Sequence, residues 1–379
     1  MSPTAYESPI ALDVAPPRPV RTDVAIGCVG AGFIMDECHL VAYSSVGLRA
    51  TAIASRRMER AKQVAARHGI ETVHADYRAL LADPRIEIVD IAVPPDVQIE
   101  IVREAVRHAD HIRGILCQKP LGVDLAQAVS IVRMCEEAGI TLAVNQNMRF
   151  DPSVRAARQL LEQGWLGTPV LATIDLRAIP HWMPWQKRQG WVTFRILSIH
   201  HLDTFRHWLG DPDRVMASAC PDPRTSRSFP HHDGIALYVL EYGDGLRAAG
   251  WDDVWAGPAR EGAAAEIGIQ WRLEGTEGTA IGTIGWPKYP AREPSTVRFT
   301  STRLGRLWFA PQWDVVWFPD AFSGPMCDLI ASLESGRPPM LNGRDNLKTM
   351  AVVEACYRSA AEHRAVSPAE LLAECGATN

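Results

Sequence analysis

The sequence predicts an α/β chain of two domains: a doubly wound parallel sheet, then an α+β domain with a large open antiparallel sheet. Three observations predict this. The chain has 379 residues, more than one hydrophobic core ordinarily serves. Up to the motif Asn145–Phe150, short apolar runs alternate with segments of helical period, the pattern of strands joined by crossover helices. Beyond that motif, strand-like stretches follow one another between Gly-rich turns, and all twelve tryptophans lie there. The abrupt change in composition marks a domain boundary.

Taken in order, a Pro-rich stretch over residues 1–22 favours extended chain over helix and is read as a loose N-terminal arm. It has no charged segment followed by an apolar one, so it does not read as a signal peptide. Residues 23–147 carry apolar strands at Val24–Val29, Ala50–Ala54, Ile88–Val93, Gly114–Cys117 and Leu142–Val144, interleaved with helical patterns at Phe33–Ser45, Met58–His68, Val97–His108 and Leu125–Ala138. Residues 148–365 carry the strand patterns VLATIDLRAI, GIALYVLEY, LRAAGWDDVW, EIGIQWRLEG and GTAIGTIGW. Helical period returns from Met326 to Ala365, with a helix expected to rejoin the first domain, and residues 366–379 form a tail.

Composition excludes several functions. Lys+Arg 39 against Asp+Glu 44 leaves a net charge of −5 with both signs scattered, so neither nucleic acid nor an anionic membrane is an expected partner. No apolar run approaches the ~20 residues of a membrane-spanning helix. The eight cysteines include no C-x-x-C pair and no zinc spacing, so they read as reduced thiols of a cytoplasmic protein. A small-molecule partner remains.

The first strand runs directly into Gly30-Ala31-Gly32-Phe33-Ile34 and a helix, the context a dinucleotide fingerprint requires. Gly30 permits the tight turn, Gly32 lets the backbone approach a pyrophosphate, and the amides of Phe33 and Ile34 open the helix toward it. Met35 stands where a third Gly or Ala is usual. The next strand ends at Ser55-Arg56-Arg57, with no acid for the ribose hydroxyls. A guanidinium there suits a 2′-phosphate, so the cofactor is NAD or NADP with a lean to NADP.

Five of the 39 basic residues are lysines, so a lysine marks a place where arginine does not suffice. Lys119 follows an apolar strand in Gln118-Lys119-Pro120, at the carboxyl end where open α/β sheets bind ligands. Partial desolvation there lowers an ammonium pKa into the range of proton transfer. In the second domain His200, Asp203 and His207 fall on one stripe of a helical pattern. Clustered histidines and an aspartate could ligate a metal, but no second acidic cluster accompanies them; a neutral imidazole beside a substrate hydroxyl is the better use. The aromatic stretch containing Trp182 and Trp185 offers ring faces for a sugar.

The ordered set GAGFI, SRRMERAKQVAARHGI, YRALLADPRIEIVDIAVPP, QKPLG, NQNMRF, GWLGTPV, HHLDTFRHWLG and GRPPMLNGRDNLKTMAVVEACYRSA, from about Val24 to Ala365, resembles the family of glucose-fructose oxidoreductase, inositol dehydrogenase and MocA-like proteins. The resemblance implies an N-terminal Rossmann domain, and a second domain whose open sheet often forms the oligomer interface. It also implies hydride transfer at a secondary alcohol of a sugar, polyol or cyclitol. Lys119 matches the lysine of the family's Glu-Lys-Pro motif, and His200 and Asp203 match the histidine and last acid of its Asp-x-Gly-x-His-x-x-Asp motif. The chain departs from the pattern at Gln118 for Glu, Gln98 for a frequent histidine, Ile196 for the first acid and Ser198 for the glycine.

The expected function is therefore NAD(P)-dependent oxidation of a carbohydrate-like hydroxyl, with His200 as base and Lys119 polarising the same oxygen. Pro94, Gln98, Gln118 and Asn147 join Gly30, Gly32, Phe33, Ile34, Ser55, Arg56 and Lys119 as expected cofactor contacts. Arg149, Trp182, Trp185, His200, His201 and Asp203 are the expected substrate contacts. A non-enzymatic dinucleotide-binding regulator and a reductase of a non-sugar carbonyl or enone are the alternatives, and a homo-oligomer through the second sheet is expected.

Overall fold

The computed structural model describes residues 5–178, 184–227, 229–243, 245–255, 268–285 and 291–377. The chain divides into two compact units: Pro16–Asn147 with Phe318–Met350, and Met1–Ala15 with Met148–Trp317 and Ala351–Thr378. After a two-residue strand β1 (Ala5–Tyr6), which belongs to the second unit, come β2 (Ile26–Val29), β3 (Ala50–Ala54), β4 (Thr72–His74), β5 (Ile88–Ile91), β6 (Gly114–Cys117) and β7 (Thr141–Val144). They form one parallel sheet in the order β4-β3-β2-β5-β6-β7. β2, β5 and β6 are buried along their whole length, which is why they read as continuous apolar runs.

The crossovers are α1 (Leu40–Ser45), α2 (Met58–His68), α3 (Tyr77–Leu81), α4 (Pro95–Ala105) and α5 (Leu125–Glu137). Asp76 caps α3 by accepting from the Ala79 amide at 3.0 Å, and Asp124 caps α5 through the Gln127 amide at 2.8 Å. α2 turns Ala61, Val64 and Ala65 inward and ends at Gly69, whose φ of 66° is the left-handed conformation that stops a helix. Ile26, Ile53, Ile88 and Leu116 of the strands meet Tyr43 and Val64 of the helices in one core, each such side chain contributing about 1.5–3 kcal/mol by leaving water. α1 is preceded by a π-helical stretch, Ile34–His39, a wider coil than sequence periodicity anticipates. Met35, at the third fingerprint position, is fully buried within it.

The second unit adds α6 (Pro152–Glu162), α7 (Pro184–Gln189) and α8 (Ile199–Leu209) to β8 (Pro169–Arg177), β9 (Arg214–Cys220), β10 (Ile235–Tyr242), β11 (Leu246–Asp253), β12 (Gly268–Gly275), β13 (Gly278–Ile284), β14 (Val297–Ser301) and β15 (Trp308–Phe309). The sheet order is β1-β15-β14-β13-β12-β8-β11-β10-β9. It is large and mostly antiparallel, with β8 and β11 paired in parallel. Along β10, Ala236, Tyr238 and Leu240 are buried while Leu237 and Val239 are 52% and 41% exposed, the alternation of a sheet covered on one face. α6 and α8 pack together on the covered face. There the Trp208 and Trp271 rings lie 5.2 Å apart and Trp271 donates to Ser153 Oγ at 3.1 Å.

The N-terminal arm differs from the loose tail expected. β1 pairs in parallel with β15, and the Asp13 amide donates to Gln159 Oε1 at 2.9 Å. A free sheet edge needs hydrogen-bond partners and an extended Pro-rich chain supplies them. The chain then returns to the first unit through α9 (Ser323–Ser335), which packs on β6 and β7. It passes back to the second unit within α10 (Gly343–Glu362), and α11 (Pro368–Glu374) occupies the segment expected to be a tail.

Candidate active site

In the first unit the chain reverses direction across the sheet between β2 and β5, and ligands of open α/β sheets sit at the carboxyl edge beside such a reversal. Gly30, with φ 112°, occupies that point; a Cβ there would stand 2.3 Å from the Ala92 carbonyl oxygen. Around Gly32 a Cβ would meet nothing within 4 Å. A closed turn followed by open space fits the pyrophosphate of a dinucleotide. Phe33, 54% exposed, follows directly. Ser55 and Arg56 follow β3; Arg56 is exposed and makes no side-chain hydrogen bond or ion pair among the described residues. Arg60, which the sequence reading passed over, donates through Nε to the Ala31 carbonyl at 3.3 Å and pairs with the buried Asp36 at 2.5 Å.

Pro94 caps the start of α4, and Gln98, one turn on, is completely buried. Its Nε2 donates to the Gln118 carbonyl at 2.8 Å and its Oε1 accepts from the Gly122 amide at 2.9 Å. Both ends of the amide are thus spent on the loop that carries Lys119. Gln98 therefore positions that loop. Gln118 Oε1 in turn accepts from the Lys119 amide at 2.9 Å. Burial lowers the Lys119 ammonium from its ordinary value to about 7, so near neutrality it exchanges a proton readily.

Beneath this loop lies a buried network that the sequence did not announce. His39 Nδ1 is 2.6 Å from Asp90 Oδ2, which also accepts from the Tyr43 hydroxyl at 2.6 Å. His39 Nε2 faces the Asn145 amide at 2.8 Å and the Gln118 amide at 3.3 Å. So arranged, Nδ1 donates and Nε2 accepts. Burial, reinforced by Asp90, pushes the Tyr43 hydroxyl well above its usual pKa. Just past β7, Gln146 is 1% exposed and neither amide atom has a hydrogen-bond partner among the described residues. A buried orphan amide at a strand's carboxyl end is what a ligand with polar groups satisfies. Asn147 follows, 2% exposed.

In the second unit the expected substrate residues separate. Arg149 and Asp203 are buried and paired to each other through two contacts of 2.7 Å. A bidentate pair of this kind braces the start of α6 against α8. His200, on α8, is 8% exposed, with the Trp317 ring edge-on at 5.6 Å. His201 turns about 100° away around the helix and lies against the sheet, its Nδ1 3.1 Å from Asp252 Oδ1 without hydrogen-bond alignment. Ser198, at the motif's glycine position, donates to the other Asp252 oxygen. Burial raises the Asp175 carboxyl above its usual range, an effect His201 opposes and Asp252 reinforces. Asp252 and Asp175 were legible only as strand residues. Trp185 is half-buried in α7, and Trp182 lies outside the described residues.

Residues 24–146 match an oxidoreductase family's NAD-binding Rossmann fold, and residues 158–368 match the C-terminal α/β domain of the same family. The chain belongs to the Gfo/Idh/MocA oxidoreductase family. Within that family it is 30% identical over 364 residues to a D-apiose dehydrogenase of Rhizobium rhizogenes, covering 93% of this chain and 99% of the other. It is 26% identical to an inositol 2-dehydrogenase of Rhizobium meliloti, covering 91% of this chain and 99% of that one. A crystal structure of an oxidoreductase from Agrobacterium radiobacter with NAD+, L-tartaric acid and magnesium aligns with a TM-score of 0.77 at 26% identity, over 93% of this chain and all of that one. Like them, this Gfo/Idh/MocA chain is an oxidoreductase with an NAD-binding Rossmann domain. Among the described residues no helix is long and apolar enough to cross a membrane.

Proposed function

We propose that the protein oxidises a secondary hydroxyl of a sugar, glycoside, polyol or cyclitol, with Lys119 taking the hydroxyl proton. The observation that carries this is the position of Lys119 at the carboxyl end of β6, held by Gln98 and Gln118, with its pKa lowered by burial to about 7. A bound nicotinamide supplies a hydride acceptor at C4. Gly30, Gly32 and the amides of Phe33 and Ile34 would hold the pyrophosphate, and Pro94, Gln118, Gln146 and Asn147, which follow the strand ends of β5, β6 and β7, would hold the nicotinamide half.

As hydride leaves the carbinol carbon, charge builds on its oxygen and the proton becomes acidic. The Lys119 amine, partly unprotonated at neutral pH, accepts that proton, and the ammonium so formed stabilises the developing carbonyl oxygen. This reverses the roles expected from sequence. In the second unit His200, with the Trp317 ring edge-on beside it, is the second proton-handling residue of this proposal, and Trp185 an apolar contact for a sugar. Arg149 and Asp203, paired with each other, support α8.

Arg56 favours NADP, because its guanidinium is exposed after β3 where a ribose-binding acid is absent. Self-association through the open face of the second sheet is supported by Met216, Leu237 and Val239, which are 49%, 52% and 41% exposed on adjacent strands. Absorbance of the reduced nicotinamide tests the reading, with the full chain, NAD or NADP, and a panel of aldoses, cyclitols and anhydrosugars. Turnover of at least one is expected; cofactor binding without turnover of any would leave a dinucleotide-binding regulator.

A further inference from the structure

The connection between α4 and β6 carries a cluster of titratable groups that hydride transfer does not use. His108 closes a 3-10 turn, Val106–His108, directly after α4, and Asp110 and His111 lie in the turn that leads into β6. One ligand atom from each of His108, Asp110 and His111 lies within 4.8 Å of the others. This turn is at the start of β6, whereas Lys119 follows its end, so the cluster stands at the opposite edge of the parallel sheet from the proposed chemistry.

The hydrogen-bond pattern defines what His111 can offer. Its Nε2 is 3.1 Å from the Leu81 carbonyl oxygen. A carbonyl only accepts, so Nε2 carries the hydrogen and Nδ1 of the neutral ring keeps its lone pair. Nδ1 is shielded from solvent and has no hydrogen-bond partner, although Asp110 Oδ1 stands 3.3 Å away. Two electron-rich atoms at that separation repel each other unless a proton or a metal ion lies between them, and a hydrogen bond from His111 would hold the Asp110 carboxyl below its usual range. The same separation is about the edge of a tetrahedron whose metal bonds are ~2.0–2.1 Å long. A ligating imidazole ordinarily gives its other N–H to a backbone carbonyl, as His111 gives its own to Leu81. The His108 ring centroid is 5.6 Å from that of His111, and the Asp110 side chain, 80% exposed, swings without disturbing the core. Glu104, 3.8 Å from His108 Nε2, is engaged by Arg107 at 3.0 Å and is not needed as a ligand.

We propose that His108, Asp110 and His111 form a site for a borderline divalent transition ion of the Zn2+ class, with water completing the tetrahedron. Two imidazoles and one carboxylate favour Zn2+, Ni2+ or Cu2+ over Mg2+ and Ca2+. Through the His111–Leu81 hydrogen bond the bound ion ties the end of α3 to the α4–β6 connection, a structural clamp distinct from the oxidoreductase site.

The test titrates ZnCl2 by calorimetry into the full chain after chelator treatment, and follows thermal unfolding with and without zinc. One equivalent is expected to bind with a dissociation constant on the order of micromolar, raising the melting temperature, while MgCl2 does neither. His108→Ala, at a half-buried position, and His111→Gln, which keeps an N–H for Leu81, are each expected to weaken binding at least about tenfold and to abolish the thermal shift. With Co2+ the visible spectrum is expected to be that of nitrogen and oxygen ligands. Absence of stoichiometric binding by the unmodified chain, as when His111 simply shares a proton with Asp110, would overturn the site. So would unchanged affinity in both variants, or a thiolate charge-transfer band.

Discussion

Gln98 Nε2 donates to the carbonyl of Gln118 at 2.8 Å, and this contact, with its companion to Gly122, fixes the backbone on both sides of Lys119. Replacing Gln98 with Leu leaves two buried backbone groups without partners, at a cost of about 1–3 kcal/mol for each. Chemical denaturation is expected to register a loss of about 2 kcal/mol or more. The variant's kcat is expected to fall at least about tenfold, as a displaced lysine loses its reach, with NAD or NADP affinity changed much less. A stable variant with normal turnover would remove Gln98 from the account.

The buried His39–Asp90 contact predicts a second effect on stability. Asp90→Ala strands the His39 N–H and the Tyr43 hydroxyl in the core together, and a loss of about 3 kcal/mol or more is expected in urea unfolding. Tyr43→Phe removes only one partner and is expected to cost about 1 kcal/mol. Equal losses would show that the aspartate acts through packing alone.

What was legible in the sequence follows from distance along the chain. The parallel strands, the Gly30–Gly32 turn and the place of Lys119 at a strand end are local patterns, readable within about a dozen residues. Gln98 reaches Gln118 across a crossover helix, and His39 meets Asp90 only because β5 lies beside β2; neither pairing has a local signature. Asp252 reaches Ser198 and His201 only through the parallel pairing of β8 with β11, which a run of strands and turns does not reveal. The tryptophans were legible as a boundary marker but not by role: Trp208 and Trp271 pack on each other in the core. Arg149 and Asp203 illustrate the same limit, since nothing local in the sequence shows that each is the other's partner.

Cofactor choice is testable at Arg56. Arg56→Ala is expected to weaken NADP binding about tenfold or more, the share of a charge-assisted contact to the 2′-phosphate, while NAD binding is nearly unchanged. Calorimetric titration of both cofactors measures it. Equal weakening of the two would mean that the arginine serves the loop and not the phosphate.

The outward face of β9 and β10 predicts association. Leu237→Lys with Val239→Glu places opposite charges on an apolar surface without touching the core, so the fold is expected to survive. Light scattering at micromolar concentration is expected to show an oligomer for the unmodified chain and a smaller species for the double variant. A monomer in both would contradict the proposed interface.

The most direct test is the pH dependence of kcat/KM for alcohol oxidation, measured on the unmodified chain and on Lys119→Arg and Lys119→Met. A base with a pKa lowered to about 7 must be deprotonated to act, so the rate is expected to fall about tenfold per pH unit below 7 and to level off above it. Arginine stays charged at every accessible pH and methionine never titrates. Both variants are therefore expected to lose roughly 10²–10⁴-fold in kcat together with that limb, while still binding the cofactor. A variant that keeps near-normal turnover, or retains the same limb near pH 7, would contradict the assignment of Lys119 as the proton acceptor.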